Sequence, residues 1–167
     1  MTRQAAGTGV SDQRDLEALF RAHYPRVVST AARITRSTTE AEDVAQEAFV
    51  SLARSSVPDD EALAWLTVAA AHLALNAVRS QRRREVREAR AAQPESLVDP
   101  ADIAMNEVES DRIRRALRRL PRTQALVLVL RHSGFDYAEI ASATGLSPNS
   151  IGTTLRRAES ALRKELP

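Results

Sequence analysis

The sequence contains no cysteine, and aromatic residues make up only 4% of its 167 residues. Without cysteine the chain forms neither disulfides nor thiolate metal sites. The sequence also shows no signal-peptide pattern near its start and no apolar run that reads as long enough to span a bilayer. These absences predict a cytoplasmic protein without membrane insertion.

Lysine is nearly absent as well. Lys and Arg together number 24, Lys164 is the single lysine, and 22 acidic residues leave a net charge of only +2. Arginine favours phosphate and carboxylate partners because its planar guanidinium donates paired hydrogen bonds. Apolar residues form 43% of the chain and are mostly Ala, Leu and Val. This composition fits one ordinary domain or two small helical ones.

Apolar residues recur with helical spacing through the first half of the chain. Residues 1–11 show no period and are predicted to form a loose tail. The helical pattern begins at Leu16, and Pro25 is predicted to open a second helix because proline fits the first helical turn. A third helix is predicted after an N-cap at Thr39, and a fourth over residues 60–84. No strand pattern appears.

The helical pattern fails over residues 91–105, where Pro94 and Pro100 stand among small and polar residues. This composition is typical of a linker. Helical signals return beyond it, and Asp136 with Glu139 is predicted to form a capping box at the start of a short helix.

The segment from Asp136 to Leu162 has the pattern of a helix-turn-helix, with a glycine in the tight turn between two short amphipathic helices. An ordinary helical hairpin is the alternative, since the bend alone proves no contact with DNA. Contact is favoured by polar and cationic side chains on the exposed side of the second helix, which suit phosphates and base edges. These residues are Ser147, Asn149, Ser150, Thr153, Thr154, Arg156 and Arg157.

The sequence therefore predicts an all-α protein of two small helical domains joined by a flexible linker, the second domain containing the helix-turn-helix. The predicted boundaries are 1–11 for the tail, 12–90 for the first domain, 91–105 for the linker and 106–167 for the second domain.

A second basic element lies at the end of the predicted fourth helix. Such a charge run also occurs as a solvated face or as a complement to the helix dipole. The same helix carries an indole, an imidazole and an amide along one side, a mixture suited to a single nucleic-acid strand. Trp65 as an ordinary core residue is the competing interpretation. The candidate strand-binding residues are Trp65, His72, Asn76, Arg79, Arg82 and Arg83.

The predicted third helix is acidic, which is unexpected in a chain with two basic elements. Asp43, Gln46, Glu47 and Val50 follow i, i+3, i+4, i+7 spacing and share one face. Acids near a helix N-terminus also complement the dipole, which is the alternative explanation. Because DNA would repel this face, a basic protein partner is the more economical interpretation.

Catalytic patterns are weak. The three histidines are far apart, and HExxH and P-loop motifs are absent. No enzymatic activity, cofactor, metal or small-molecule substrate is predicted.

Four blocks of the sequence together resemble the extracytoplasmic-function sigma factors, the small two-domain branch of bacterial sigma factors. The resemblance covers Leu16 to Leu162 apart from the linker, and the blocks have the family's order and spacing. The acidic block and the helix-turn-helix block are specific in combination. The blocks are "LFRAHYPRVVSTAARI", "TEAEDVAQEAFVSLAR", "AWLTVAAAHLALNAVRSQRRR" and "LRRLPRTQALVLVLRHSGFDYAEIASATGLSPNSIGTTLRRAESAL".

The resemblance implies that the chain is an alternative sigma factor that binds core RNA polymerase and directs promoter-specific transcription initiation. It implies that Asp43, Gln46, Glu47 and Phe49, with their neighbour Val50, dock on the polymerase. It further implies that residues 55–60 and the helix from Trp65 to Arg83 hold the minus-ten element as a single strand. Residues 147–157 would enter the major groove at the minus-thirty-five element. An anti-sigma protein is an expected further partner.

The sequence departs from the family pattern at two places. Gly152 and Thr154 stand where the family often has cations, and His72 follows Ala71 where an Arg-Asn pair is usual. A helix-turn-helix regulator that is not a sigma subunit remains an alternative, although it leaves the acidic helix unexplained. A sigma-like decoy that occupies an anti-sigma factor or the polymerase is a further alternative.

Overall fold

The structure, a computed structural model, describes residues 15–91 and 105–166. These residues form seven α-helices and one short 3-10 turn, and no strand occurs among them, which confirms the predicted all-α class. The predicted tail and residues 92–104 of the predicted linker lie outside the described residues. The helices are α1 (Leu16–Thr35), α2 (Thr38–Ala53), α3 (Ala62–Ala91), α4 (Met105–Arg119), α5 (Arg122–His132), α6 (Tyr137–Thr144) and α7 (Pro148–Glu165).

Helix α1 runs through Pro25 without ending there, so the predicted helix break was wrong. A proline inside a helix removes one backbone hydrogen bond and costs about 3 kcal/mol. Val27, Ala31 and Ile34 continue the apolar stripe that starts at Leu19, and all four side chains are buried. Each larger apolar side chain contributes about 1.5 to 3 kcal/mol when buried, so the continuous stripe outweighs the missing hydrogen bond.

The connection between α1 and α2 is sharp. Arg36 adopts a left-handed backbone conformation (φ 56°) and donates its N–H to the carbonyl of Ala32, which ends α1. Ser37 then caps α2, because its side chain accepts a hydrogen bond from the N–H of Glu40 at 3.3 Å. The predicted N-cap at Thr39 was therefore two residues late, and α2 starts almost directly after α1.

Helix α3 is preceded by a 3-10 turn at Asp59–Glu61 and extends to Ala91, beyond its predicted end. Residues 59–81 are long and apolar enough to cross a membrane by length and composition alone, which differs from the prediction made from the sequence. In this fold Leu66, Leu75 and Val78 of that segment are fully buried against α1 and α2. Its apolar character is explained by its place at the centre of the bundle.

Helices α4–α7 form a second unit around α5. Residues 125–130 of α5 are all buried, as expected for a helix that is apolar on most sides. The predicted capping box is confirmed: Asp136 accepts from the N–H of Glu139 at 2.8 Å, and Glu139 accepts from the N–H of Asp136 at 2.7 Å. Gly145 ends α6 in a left-handed conformation (φ 71°), so α6 and α7 form the predicted helix-turn-helix.

The second unit packs against the first unit, α1–α3, and their buried residues form one continuous apolar cluster. Helix α3 contacts α4 and α5, and α1 contacts the same two helices. Arg114 of α4 donates to both carboxylate oxygens of Glu40 on α2, at 2.8 and 3.0 Å, and also to the side chain of Gln81 on α3. In this arrangement, the covered arrangement, the two units bury parts of each other's surface.

Candidate protein and nucleic-acid interfaces

The acidic face of α2, defined by Asp43, Gln46, Glu47 and Val50, is exposed along its length. Val50 is 51% exposed, which is unusual for a large apolar side chain. Inward of this face, Val44, Ala48 and Leu52 are buried against the bundle. The helical period therefore separates a folding stripe from a face that is free to bind a partner.

Phe49 does not belong to the acidic face, because only 7% of it is exposed. Its ring centroid lies 4.9 Å from that of Phe20 and 6.2 Å from that of Tyr24 on α1. Phe20, 40% exposed, covers Phe49 and stacks on Tyr24 at 4.3 Å. A contact between Phe49 and the polymerase stays a prediction; of the two phenylalanine rings here, Phe20 is the more exposed. The exposed position of Phe20 beside Phe49 follows from the packing of α1 against α2, which the sequence pattern did not indicate.

The strand face of α3, defined by Trp65, His72, Asn76 and Arg79, is only partly accessible. Trp65 is half-buried and packs against the core, whereas Asn76 is exposed. His72 and Arg79 are half-buried because the second unit lies over them. Arg83, one turn beyond Arg79, is exposed; Arg82 lies on α3, but its side chain is outside the described ones.

Arg122, the first residue of α5, and Leu120, between α4 and α5, cover the strand face. The Arg122 guanidinium donates to Nδ1 of His72 at 3.0 Å, and Arg79 donates to the carbonyl of Leu120 at 2.8 Å. Burial, followed by the charge of Arg122, lowers the pKa of His72 below its usual value. The same two causes lower the pKa of Arg79. His72 is therefore held neutral, and it accepts the hydrogen bond through its unprotonated Nδ1.

The exposed side of α7 carries the residues predicted to contact duplex DNA. Ser147, Asn149, Thr153, Arg156 and Arg157 are exposed. Ser150 and Thr154 are half-buried, and Ser150 donates its hydroxyl to the carbonyl of Ser147 at 2.7 Å. On the inner side, Ile151 and Leu155 are buried against the rest of the second unit. The helix thus presents hydroxyl, amide and guanidinium groups on one face, as a groove-reading helix requires.

Among the described residues, no group of His, Cys, Asp and Glu side chains is arranged to hold a metal ion. The notable side chains instead form three separate surfaces of hydrogen-bonding and charged groups. Such surfaces suit the recognition of macromolecules.

Comparison with known families agrees with this geometry. Residues 19–84 match sigma-70 region 2, and residues 110–162 match sigma-70 region 4. The two regions in this order define the class of the protein, a sigma factor of the sigma-70 type. The first region holds the acidic and strand faces, and the second holds the helix-turn-helix.

Comparison with individual sigma factors identifies the family within this class. The chain is 30% identical over 161 residues to the RNA polymerase sigma factor CarQ of Myxococcus xanthus, covering 92% of this chain and 90% of CarQ. It is 33% identical over 161 residues to the probable ECF RNA polymerase sigma factor SigI of Mycobacterium tuberculosis, covering 89% of this chain and 54% of SigI. The chain thus spans about half the length of SigI. It belongs to the extracytoplasmic-function sigma factors.

A solved structure has the same fold. The sigma factor RpoE of Bartonella quintana, crystallised with the anti-sigma factor NepR, superposes with a TM-score of 0.57 at 24% identity, covering 91% of this chain and 96% of RpoE. The predicted function is confirmed at the level of the family: the protein is an alternative sigma factor, which binds core RNA polymerase and directs transcription from promoters.

Proposed function

We propose that this sigma factor binds its three macromolecular targets through three separate surfaces. The acidic face of α2 binds a basic surface of core polymerase, the strand face of α3 with Arg83 holds the minus-ten element, and α7 reads the minus-thirty-five duplex. The observation that carries the proposal is the accessibility of Asp43, Gln46 and Glu47 on a helix whose opposite stripe is buried. Asp43 and Glu47 form no ion pair among the described residues, so both carboxylates are available to a cation-rich partner.

We further propose that the two units separate when the factor engages the polymerase and the promoter. His72 and Arg79 contact the second unit in the free chain, so a DNA strand reaches them only after α5 moves away. Residues 12–90 and 106–167 would then behave as two bodies joined by residues 91–105. The hydrogen bonds that join the units, donated by Arg33, Arg79, Arg114 and Arg122, involve groups that water is able to satisfy after separation.

An anti-sigma protein is a proposed further partner. The RpoE structure contains the anti-sigma factor NepR, and the related structure of CnrH contains the cytosolic domain of CnrY. By analogy with these proteins, we expect this chain to act in the cytoplasm and to have no enzymatic activity of its own.

Run-off transcription with purified core polymerase tests the proposal. We expect the full chain to support a transcript from its own promoters, and to co-purify with core polymerase. A factor that binds core polymerase but yields no transcript from any template would be a decoy. A factor that binds duplex DNA but does not bind core polymerase would be a helix-turn-helix regulator instead.

A further inference from the structure

A groove of about 860 Å³ lies between the second half of α3 and the helices α4 and α5. Five arginines from the two units line it, and none of its lining residues in the described part of the chain is a carboxylate. Clefts with a single sign of charge concentrate the field of their side chains and attract counter-ions. The arginines of this basic groove are Arg79, Arg83, Arg87, Arg118 and Arg122.

Two of these arginines, which face each other across the units, have no carboxylate partner in the described part of the chain. Arg79 donates to the carbonyl of Leu120, and its buried Nε makes no hydrogen bond. Arg122 donates to the neutral ring of His72. No described carboxylate lies within ion-pair distance of either guanidinium. The covered arrangement therefore brings like charges together, which is unfavourable unless an anion lies between them.

The remaining polar groups of the groove also suit an anion. Asn76 and Ser80 line it beside the arginines and supply an amide and a hydroxyl donor. Guanidinium groups match phosphate oxygens in pairs. A single phosphate carries a charge of about −2 at pH 7, which is smaller than the summed charge of Arg79, Arg83, Arg87 and Arg122, whereas a chain of phosphates is large enough.

We propose that the basic groove binds a small polyphosphate anion, such as inorganic tripolyphosphate or a nucleoside triphosphate, which bridges the two units and holds them together. The volume of the groove is within the range of small-molecule sites, roughly 300 to 1,000 Å³. Its walls come from both halves of the chain, so the ligand binds the covered arrangement more tightly than a separated one. By linkage, binding shifts the population toward the covered arrangement.

This site has a regulatory consequence that rests on the function proposed above. Arg79 and Arg83 belong both to the groove and to the surface assigned to the minus-ten strand. A polyphosphate in the groove therefore excludes the promoter strand, and its concentration would set how much sigma factor is available. Binding of the small anion itself is independent of that assignment and is measured without polymerase or promoter.

The test uses the full chain and isothermal titration with inorganic tripolyphosphate at about physiological ionic strength. Arg122→Gln and Arg83→Gln each remove one groove cation, one from each unit. We expect each to weaken binding about tenfold, the effect of removing one charge-assisted hydrogen bond. Arg84→Gln is the matched control, because Arg84 is the exposed neighbour of Arg83 on the same helix and does not line the groove. It should bind as the parent does.

Three outcomes would overturn the proposal. The first is the absence of saturable tripolyphosphate binding, and the second is equal weakening by Arg84→Gln and Arg122→Gln, which indicates diffuse attraction. The third is a site that depends on Arg122 but accepts only single-stranded DNA, which identifies the phosphates as those of a nucleic-acid backbone. Circular dichroism verifies that each variant is folded.

Discussion

The guanidinium of Arg122 lies 3.0 Å from Nδ1 of His72, although the two residues are 50 positions apart in the chain. This contact joins the start of α5 to the face of α3 assigned to the promoter strand. Because Arg122 carries only hydrogen-bond donors, His72 has to remain neutral to accept. The contact therefore couples the separation of the two units to the protonation of one imidazole.

Acidification should favour separation of the units. His72 has a lowered pKa in the covered arrangement and a usual pKa of about 6.5 when exposed. The contribution of neutral His72 to the stability of the covered arrangement is fully present above about pH 6.5. It is reduced as the pH falls through the lowered pKa of His72. We expect the radius of gyration in small-angle scattering to increase between about pH 7.5 and about pH 5.5. His72→Gln keeps an acceptor without a titrating ring, and its radius should not follow the same pH change; an identical response would contradict the role of His72.

Charge reversal on the acidic face should weaken binding to core polymerase. Asp43→Lys and Glu47→Lys, singly or together, replace exposed acids without touching the buried stripe of α2. We expect a decrease of about 1 to 3 kcal/mol in binding free energy, measured by equilibrium binding to purified core. Asp111→Lys reverses an exposed acid on α4 and serves as the control. Unchanged binding of the double variant would show that the polymerase uses another surface.

Two kinds of DNA interaction on α7 should be separable by salt titration. Replacing Arg156 and Arg157 with Ala should weaken binding to all promoters and lower the salt slope by roughly 1 to 2, because each arginine that binds a phosphate adds about 0.9 to the slope. Asn149→Ala or Thr153→Ala should instead change the preference at one or two base pairs by about 1 to 3 kcal/mol with an unchanged slope. A change of preference without a change of slope in the arginine variant would reverse these assignments.

Gly152→Lys should strengthen binding to DNA. An ideal Cβ at this position lies 3.6 Å from Cε2 of Tyr137, an ordinary van der Waals distance, so a side chain fits. Glycine inside a helix is about 1 kcal/mol less favourable than alanine, so the variant should be no less stable than the parent. The added cation should raise the salt slope by about 0.9. Gly152→Gln is the neutral control, and equal slopes for the two variants would place position 152 away from the phosphates.

Asp136→Ala should lower the stability of the protein by about 1 kcal/mol, because it removes the N-cap of α6 and half of the capping box. Urea unfolding followed by circular dichroism measures this change. Asp111→Ala is the control, since its ion pair with Arg115 spans 3.9 Å at the surface and contributes little. Equal decreases in the two variants would mean that the cap adds nothing specific.

Local signals in the sequence predicted the parts of the fold that depend on neighbouring residues. The Asp136–Glu139 box and the end of α6 at Gly145 follow from side-chain chemistry within four residues, and both were predicted correctly. The break at Pro25 was wrong because packing across three helices outweighs the local preference of proline. The covering of His72 by Arg122 depends on how the two units pack, so no pattern along the chain indicated it. The burial of Phe49 beneath Phe20 likewise depends on the packing of α1 against α2.

Glu40, on the helix that carries the acidic face, forms an ion pair with Arg114 of the second unit. The side chain of Arg114 is only 12% exposed. If this pair and the other contacts between the units keep most molecules in the covered arrangement, a polymerase that accepts only separated units binds a minority form. Its apparent dissociation constant is then the intrinsic constant divided by the competent fraction, so a fraction of about one in a hundred makes binding about a hundredfold weaker. Loosening this pair would raise the affinity for polymerase without altering a single residue of the acidic face.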